Sequence, residues 1–356
     1  MHLVVAITPH GFGHAAQVAP VIDALRERLP ALQVTLLTRL PEDFLRTRIN
    51  GEFQLIEHAA DFGLIMHSAL QIDLRASAAA YVAAHHDWDA SVRREAQLLI
   101  SLVPGLVLAD VPYLTLAAAR YAGIPAVALC SLNWADIYRW YFSACEEAPR
   151  LLQEMESAYR GAEMFLCPEP SMPMTFLDNR ISIAPLAQQA SRRSAELRER
   201  LDIAPDQSVV LVMTGGVDGR FDMERWPIGQ GIHWLVSQSW AVNHRDVTPF
   251  ESLDWTVTDL LASCDAVLGK CGYGTVAECV TNGTPLLYVQ RPDWPEERSL
   301  TDWLQIHDAG LAVDPQRLID GRFAALVERA RDLSVKTCRP TGAAEAAGLL
   351  EQYFLT

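Results

Sequence analysis

The sequence predicts an α/β protein built from two Rossmann-like domains. Three observations predict it: apolar, strand-like runs alternate with amphipathic helical stretches; each half of the chain opens on an apolar strand that runs into a glycine-bearing turn; and a polar stretch separates the halves. Alternation of this kind indicates parallel sheets with helices on both faces.

Taken in order, residues 3–7 read as a strand. "PHGFGHAAQ" is a turn that opens a helix with apolar positions at Val18, Ile22 and Leu25, and residues 32–38 are the next strand. "GLVLAD" (105–110), "LTLAAARYAG" and "IPAVALC" repeat strand, helix and strand. "APLAQQASRRSAELRERLDIAPDQS" reads as a linker followed by a charged helix, which puts the boundary near residues 183–195. The second half restarts with "SVVLVMTGG" (208–216), and "AVLGK", a helix and "TPLLYVQ" complete its strand–helix–strand unit. The expected domains are 1–185 and 186–335. Residues 336–356 end in an amphipathic helix whose apolar stripe is Leu349, Leu350, Tyr353 and Phe354. The duplication is architectural, not a sequence repeat.

The formal charge of −15 argues against general nucleic-acid binding, which rests on basic surface. A phosphate site must then be local, made from backbone N–H groups, helix N-termini and a few cations such as Lys270, Arg291 or Arg298. No apolar run approaches the ~20 residues that span a bilayer. "HLVVAIT" is too short for a signal-peptide core and lacks a basic flank, so a cytoplasmic protein is expected. The seven cysteines include no CxxC pair, and Cys264, Cys271 and Cys279 lack zinc-knuckle spacing, so reduced thiols are expected and neither metal nor cofactor.

Open parallel sheets bind ligands beyond the carboxyl ends of their strands. Both glycine turns are therefore expected to face a cleft between the domains. In "GKCGYGTVAE", Lys270 precedes Gly272 and Gly274, whereas a nucleotide-triphosphatase loop ends in its lysine, so that class is excluded. Gly272 and Gly274 let a phosphate approach the backbone, and a helix starting near Thr275 adds its dipole. Glu278 either accepts from ribose hydroxyls or closes a capping box with Thr275. In the first turn, His14 after Gly13 is either a general base or a capping and packing residue, and His10 is expected to pack. Asp110 either orients His14 or binds acceptor hydroxyls, or else it caps the helix that follows it. "HHDWD" (85–89) is expected to be a solvated helix face rather than a metal site. Trp134, Trp226, Trp234, Trp255 and Trp294 are expected mostly as packing residues, with Asn133 and Asp136 as acceptor-side candidates.

"PHGFGHAAQV", "LADVPYLTLAAARYAGIP", "SLNWADIY", "LVMTGG", "GKCGYGTVAEC" and "RPDWPEERSL" together resemble the GT-B glycosyltransferases, such as the peptidoglycan GlcNAc transferases and the UDP-dependent glycosyltransferases. The chain is more similar still to the glycosyltransferase-like N-terminal domain of plant L-arabinokinases. No galactokinase-type domain follows in this sequence, so arabinokinase activity is not what the resemblance implies. It implies the GT-B fold, with the last helix returning to the first domain. It implies His14 as base or acceptor contact, and Gly13, Gly215, Gly216, Gly272, Tyr273, Gly274 and Thr275 with Lys270 around the donor diphosphate. Glu278 falls on the donor ribose. The sugar-reading pair of the family is replaced here by Asp293 with Glu296 and Glu297. The activity implied is metal-independent, inverting transfer from a nucleotide sugar, UDP-linked, to an unknown acceptor. A noncatalytic nucleotide-sugar-binding module and a nucleotide-sugar epimerase are the alternatives.

Overall fold

In the computed structural model, residues 1–68, 71–214 and 220–355 are described. The chain divides into two units, Met1–Leu186 together with the chain from Thr341, and Ala187–Pro340.

The strands of the first unit form because short β-branched and aliphatic runs are buried on both faces; Leu3, Val4, Val5 and Ile7 are fully enclosed. They are β1 (His2–Ile7), β2 (Gln33–Thr38), β3 (Gln54–Glu57), a small antiparallel ribbon of β4 (Met66–Ser68) and β5 (Gln71–Ile72), then β6 (Leu106–Asp110), β7 (Ala126–Leu129), β8 (Met164–Pro168) and β9 (Arg180–Ile183). The main sheet has seven parallel strands in the order β3-β2-β1-β6-β7-β8-β9. The chain builds outward from β1 on one side and, after the ribbon, outward from β6 on the other. The switch point where ligands of such sheets bind therefore lies between β1 and β6, where Ile7 pairs with Asp110.

The helix Gly342–Leu355 packs on the helix Phe12–Arg28 of this unit. Arg28 Nε donates to Glu351 at 2.8 Å, and the Ala184 N–H donates to Glu345 at 3.0 Å. Its buried face takes in only part of the predicted stripe. Ala346, Ala347 and Leu350 are enclosed, while Leu349, Tyr353 and Phe354 are half-buried.

In "HHDWD", His86, Asp87 and Asp89 are exposed as expected, but His85 is not part of that solvated face. His85 ends the helix Leu74–Ala84 and is buried, its ring nitrogens bonded to Glu154 (2.6 Å) and the Tyr113 hydroxyl (2.9 Å), while Asp87 caps Trp88–Leu102. Two helices meet here, so consecutive residues serve different ends.

The second unit has β10 (Ser208–Met213), β11 (Ile232–Val236), β12 (Val247–Pro249), β13 (Ala266–Lys270), β14 (Leu286–Val289) and β15 (Gly310–Val313) in the parallel order β12-β11-β10-β13-β14-β15. Its switch point lies between β10 and β13, where Met213 pairs with Gly269. Gly215 and Gly216, expected at the end of β10, lie outside the described residues. Trp226, Trp234 and Phe323 pack edge-on and tilted, with centroids 4.9–5.3 Å apart, in the core under β10 and β11. They are packing residues, as is Trp134; Arg193 stacks on Trp255, with its guanidinium 3.8 Å from the ring centroid. No helix among the described residues is long and apolar enough to cross a membrane.

Candidate active site

At the switch point of the first unit, the Thr8 N–H donates to the Asp110 carbonyl at 2.8 Å, tying the start of the turn to β6. The helix Phe12–Arg28 then begins after Gly11 with no side-chain cap and no acidic residue in its first turn, which leaves its N–H groups and dipole available to an anion or a lone pair. His14 is the third residue of that helix, so its side chain turns back toward the strand ends. It is buried, and its Nδ1 lies 2.8 Å from Oδ1 of the fully enclosed Asp110. A carboxylate at Nδ1 keeps the proton on that nitrogen, so Nε2 carries the lone pair and can accept a proton. Asp110 does not cap the next helix. Tyr113–Ala122 starts after Pro112 with no side-chain cap, because the chain turns away from Asp110 before the helix begins. Cys130, at the end of β7, brings Sγ to 3.8 Å from Nδ1. One ligand atom each from His14, Asp110 and Cys130 lies within 4.8 Å of the others, so one ion can reach all three. As it stands, Nδ1 is held by Asp110.

A carboxylate that sequence reasoning missed stands beside this pair. Asp61 Oδ2 accepts from Trp134 Nε1 at 2.7 Å. Burial, with a smaller push from the nearby Asp110, raises its carboxyl to about 7 against hydrogen bonds from Thr8 and Trp134 and the influence of His14. Nothing local marks "AADFG" as part of a site; the one signal is Gly63, whose φ of +67° fixes the turn. Asn133 and Asp136, expected near an acceptor, are instead the cap of the helix Trp134–Phe142. Asn133 Oδ1 accepts from the Asp136 N–H at 2.8 Å, and Asp136 pairs with Arg139.

In the second unit the helix Tyr273–Asn282 starts directly after Gly272, again with no side-chain cap and no acid in its first turn. It begins two residues before the expected start, so Thr275 sits inside the first turn and the capping-box reading of Thr275 with Glu278 fails. Glu278 is buried in the second turn. Lys270 ends β13, its chain lying against Gly272. Burial, helped by Arg291 and partly opposed by Glu296, lowers its ammonium to about 8. Arg291 reaches across the loop to donate to the Cys271 carbonyl at 3.3 Å and lies 4.9 Å over the Trp294 ring. Of the three acids expected to read a sugar, two hold the turn after β14. Both Glu297 oxygens accept from the Arg291 N–H at 2.7 Å, and Glu296 accepts from Trp294 Nε1 at 3.1 Å. Asp293 is exposed.

Glycine at positions 13 and 274 has no internal explanation. Both residues sit in a first helical turn, and a Cβ on either would meet nothing within 4 Å. Glycine in a helix costs roughly 0.5–1 kcal/mol relative to alanine, so the fold alone would favour a side chain there.

No family model matches the chain. It is 28% identical over 350 residues to the L-arabinokinase of Arabidopsis thaliana, aligning 96% of itself with 33% of that protein. The chain thus spans about a third of the length of this relative. Among solved structures it superposes on CalG4, the calicheamicin glycosyltransferase, with a TM-score of 0.61 at 17% identity over 99% of this chain and 98% of that one. A UDP-glucosyltransferase from Polygonum tinctorium that glucosylates indoxyl gives 0.60 at 15% identity, with 100% and 98% covered. Phytolacca americana UGT2, complexed with UDP-2-fluoro-glucose and pterostilbene, gives 0.58 at 14%, with 99% and 93% covered. The fold is that of the GT-B glycosyltransferases.

Proposed function

We propose that the chain is a glycosyltransferase that moves a sugar from a nucleoside diphosphate sugar, UDP-linked, to an acceptor hydroxyl, with inversion and without a metal. The observation that carries this reading is the buried His14–Asp110 pair at 2.8 Å, set at the switch point of a sheet and in the first turn of an uncapped helix. Such a pair is a general base with its tautomer fixed.

His14 Nε2 takes the proton of the acceptor hydroxyl. The acceptor oxygen forms a bond to the anomeric carbon from the face opposite the diphosphate, the bond to the diphosphate oxygen breaks, and its electron pair leaves with the nucleoside diphosphate. Asp110 stabilises the imidazolium so formed. The loop 270–275 receives the leaving group: Lys270 supplies a cation, the helix Tyr273–Asn282 its N-terminal dipole, and Gly272 and Gly274 room for phosphate. Glu278 holds the ribose hydroxyls, with Tyr273 and Thr275 beside it, and Asp293 is the remaining acid for the sugar.

Calorimetric titration with UDP and with UDP-glucose tests the donor half, and release of UDP from UDP-glucose in the presence of EDTA tests the reaction. Binding of UDP together with EDTA-insensitive turnover that disappears in His14→Ala supports the proposal. Binding without turnover across donor and acceptor panels would establish the noncatalytic module, and interconversion of two UDP-sugars the epimerase.

A further inference from the structure

Between three helices of the first unit, the start of Trp88–Leu102, Tyr113–Ala122 and Ala148–Arg160, lies a cavity of about 380 Å³. It shares no residue with the site at the switch point, and its size falls at the lower end of the ~300–1,000 Å³ of small-molecule sites. "HHDWD" supplies its aromatic wall. The half-buried Trp88 indole lies flat on His85, with ring centroids 4.9 Å and planes 7° apart, and stacks on Tyr113 at 5.8 Å. Ala117 and Ala158 are the other apolar residues of the lining.

Two of the four charged side chains are already paired. Arg150 Nη1 donates to Glu154 at 2.9 Å and to the His85 carbonyl at 3.0 Å, and the second Glu154 oxygen is bonded to His85 Nδ1 at 2.6 Å. Arg120 is positioned but unpaired. Gly161 has φ −80° and ψ −8°, a conformation that any residue adopts, yet a Cβ there would fall 2.8 Å from Arg120 Nη1 and 2.9 Å from its Cδ. The glycine thus makes room for this arginine. The side chains of Arg120, Asp89, Gln153 and Ser157 make no hydrogen bond or ion pair among the described residues.

The lining balances two arginines against two acids, and burial holds the His85 imidazole below its ordinary value, so it adds no charge at neutral pH. No net charge selects an ion. What the cavity offers is free donors on Arg120, Gln153 and Ser157 together with free acceptors on Asp89, Gln153 and Ser157, beside an indole. A neutral sugar matches that set, because each hydroxyl both donates and accepts while the C–H face of the ring packs on an aromatic surface.

We infer that this cavity is a sugar-binding site separate from the candidate active site, with Trp88 against the C–H face of a pyranose and Arg120, Asp89, Gln153 and Ser157 on its hydroxyls. The inference does not rest on the transferase reading.

The test titrates the whole chain with D-glucose, D-galactose, D-mannose, D-xylose and maltose by saturation-transfer NMR, in the parent and in Arg120→Ala, Gln153→Ala and Trp88→Leu. Glycine and inorganic phosphate are the ionic alternatives. At least one sugar is expected to bind the parent, with affinity falling about tenfold or more in Arg120→Ala and Trp88→Leu and less in Gln153→Ala. Gly161→Ala, which displaces the guanidinium, should weaken the same sugar. Arg120 and Gln153 are exposed, so their alanine variants should melt with the parent by circular dichroism. Should Trp88→Leu fail to fold, Arg120→Ala decides. No sugar binding to the parent, sugar binding that is equal in the parent and every folded variant, or binding of glycine or phosphate with no sugar binding overturns the inference. Each of these results leaves the reading of His14 untouched.

Discussion

The two glycine turns, residues 10–14 and 269–275, have the same local design. Each follows a buried parallel strand at a switch point, each opens a helix with no side-chain cap, and each spends a glycine where a Cβ has open space. They differ in what stands beside the helix. The first turn places a histidine against a carboxylate from the adjacent strand; the second places a lysine whose ammonium burial has brought down to about 8. In the proposed reaction the first arrangement moves a proton and the second offers charge. An uncapped helix start is thus a generic anion seat, and the neighbouring strand end decides its chemistry.

The largest expected effect breaks the first turn alone. His14→Ala is expected to lower kcat by about 10²–10⁴-fold with UDP affinity nearly unchanged, measured by single-turnover assay beside calorimetry. Asp110→Asn should fall in the same range, because an amide no longer stabilises the imidazolium. Equal turnover in His14→Ala and parent would remove the distinction between the turns.

The second turn is broken by Lys270→Met, which should weaken UDP binding by about 1.5–3 kcal/mol, the range for a hydrogen bond to a charged group. The ammonium is present below about 8 and lost above it. UDP affinity of the parent should therefore fall as pH rises through 8, and the variant should lack that limb. Stability moves the other way. Between about 8 and the ordinary 10.5 the unfolded chain holds the proton that the folded chain has released, so stability of the ligand-free parent rises with pH over that window. Denaturant titration at pH 7.5 and 10 checks it; a rise equally large in Lys270→Met would assign it to another group.

Glu278→Ala is expected to cost roughly 1–3 kcal/mol of UDP affinity through lost hydrogen bonds to the ribose. Calorimetry with UDP against inorganic diphosphate sharpens this, because only the nucleotide should register the change.

The smallest effect is the most discriminating. Gly274→Ala meets open space, so unfolding free energy should rise by about 0.5–1 kcal/mol while UDP affinity drops. A gain in stability with unchanged affinity would mean that no ligand approaches this backbone. Gly13→Ala should show the same gain in stability together with a loss of UDP affinity, because Gly13 too is read at the donor diphosphate.

The strands, both glycine turns and the two-unit layout were legible because each rests on local signals. Runs such as "LVVAI" are long enough to be buried on both faces, and a strand that meets glycine before an apolar helical stretch reads as a βα turn. Helix starts were less legible. The helix after β13 begins at Tyr273 rather than near Thr275, since Gly272 ends the extended segment by itself and needs no side-chain cap. His14 and Asp110 stood out one at a time, but their bond joins positions 96 residues apart, and no local pattern states that β6 lies beside β1.

The sequence by itself determined the alternation of strands and helices, the glycine turns at their ends and the residue types available to bind phosphate and move a proton, because these follow from side-chain size, polarity and periodicity along the chain. The tertiary structure alone decided which of those residues meet. Strand order put Asp110 on His14. Packing of Gly63 under His10 and Trp134 drew Asp61, 73 residues from Trp134, to the same place. The turn after β14 took Glu296 and Glu297 for its own hydrogen bonds. Contact between residues distant in the chain is set by sheet order and close packing, and no single stretch of sequence carries that information.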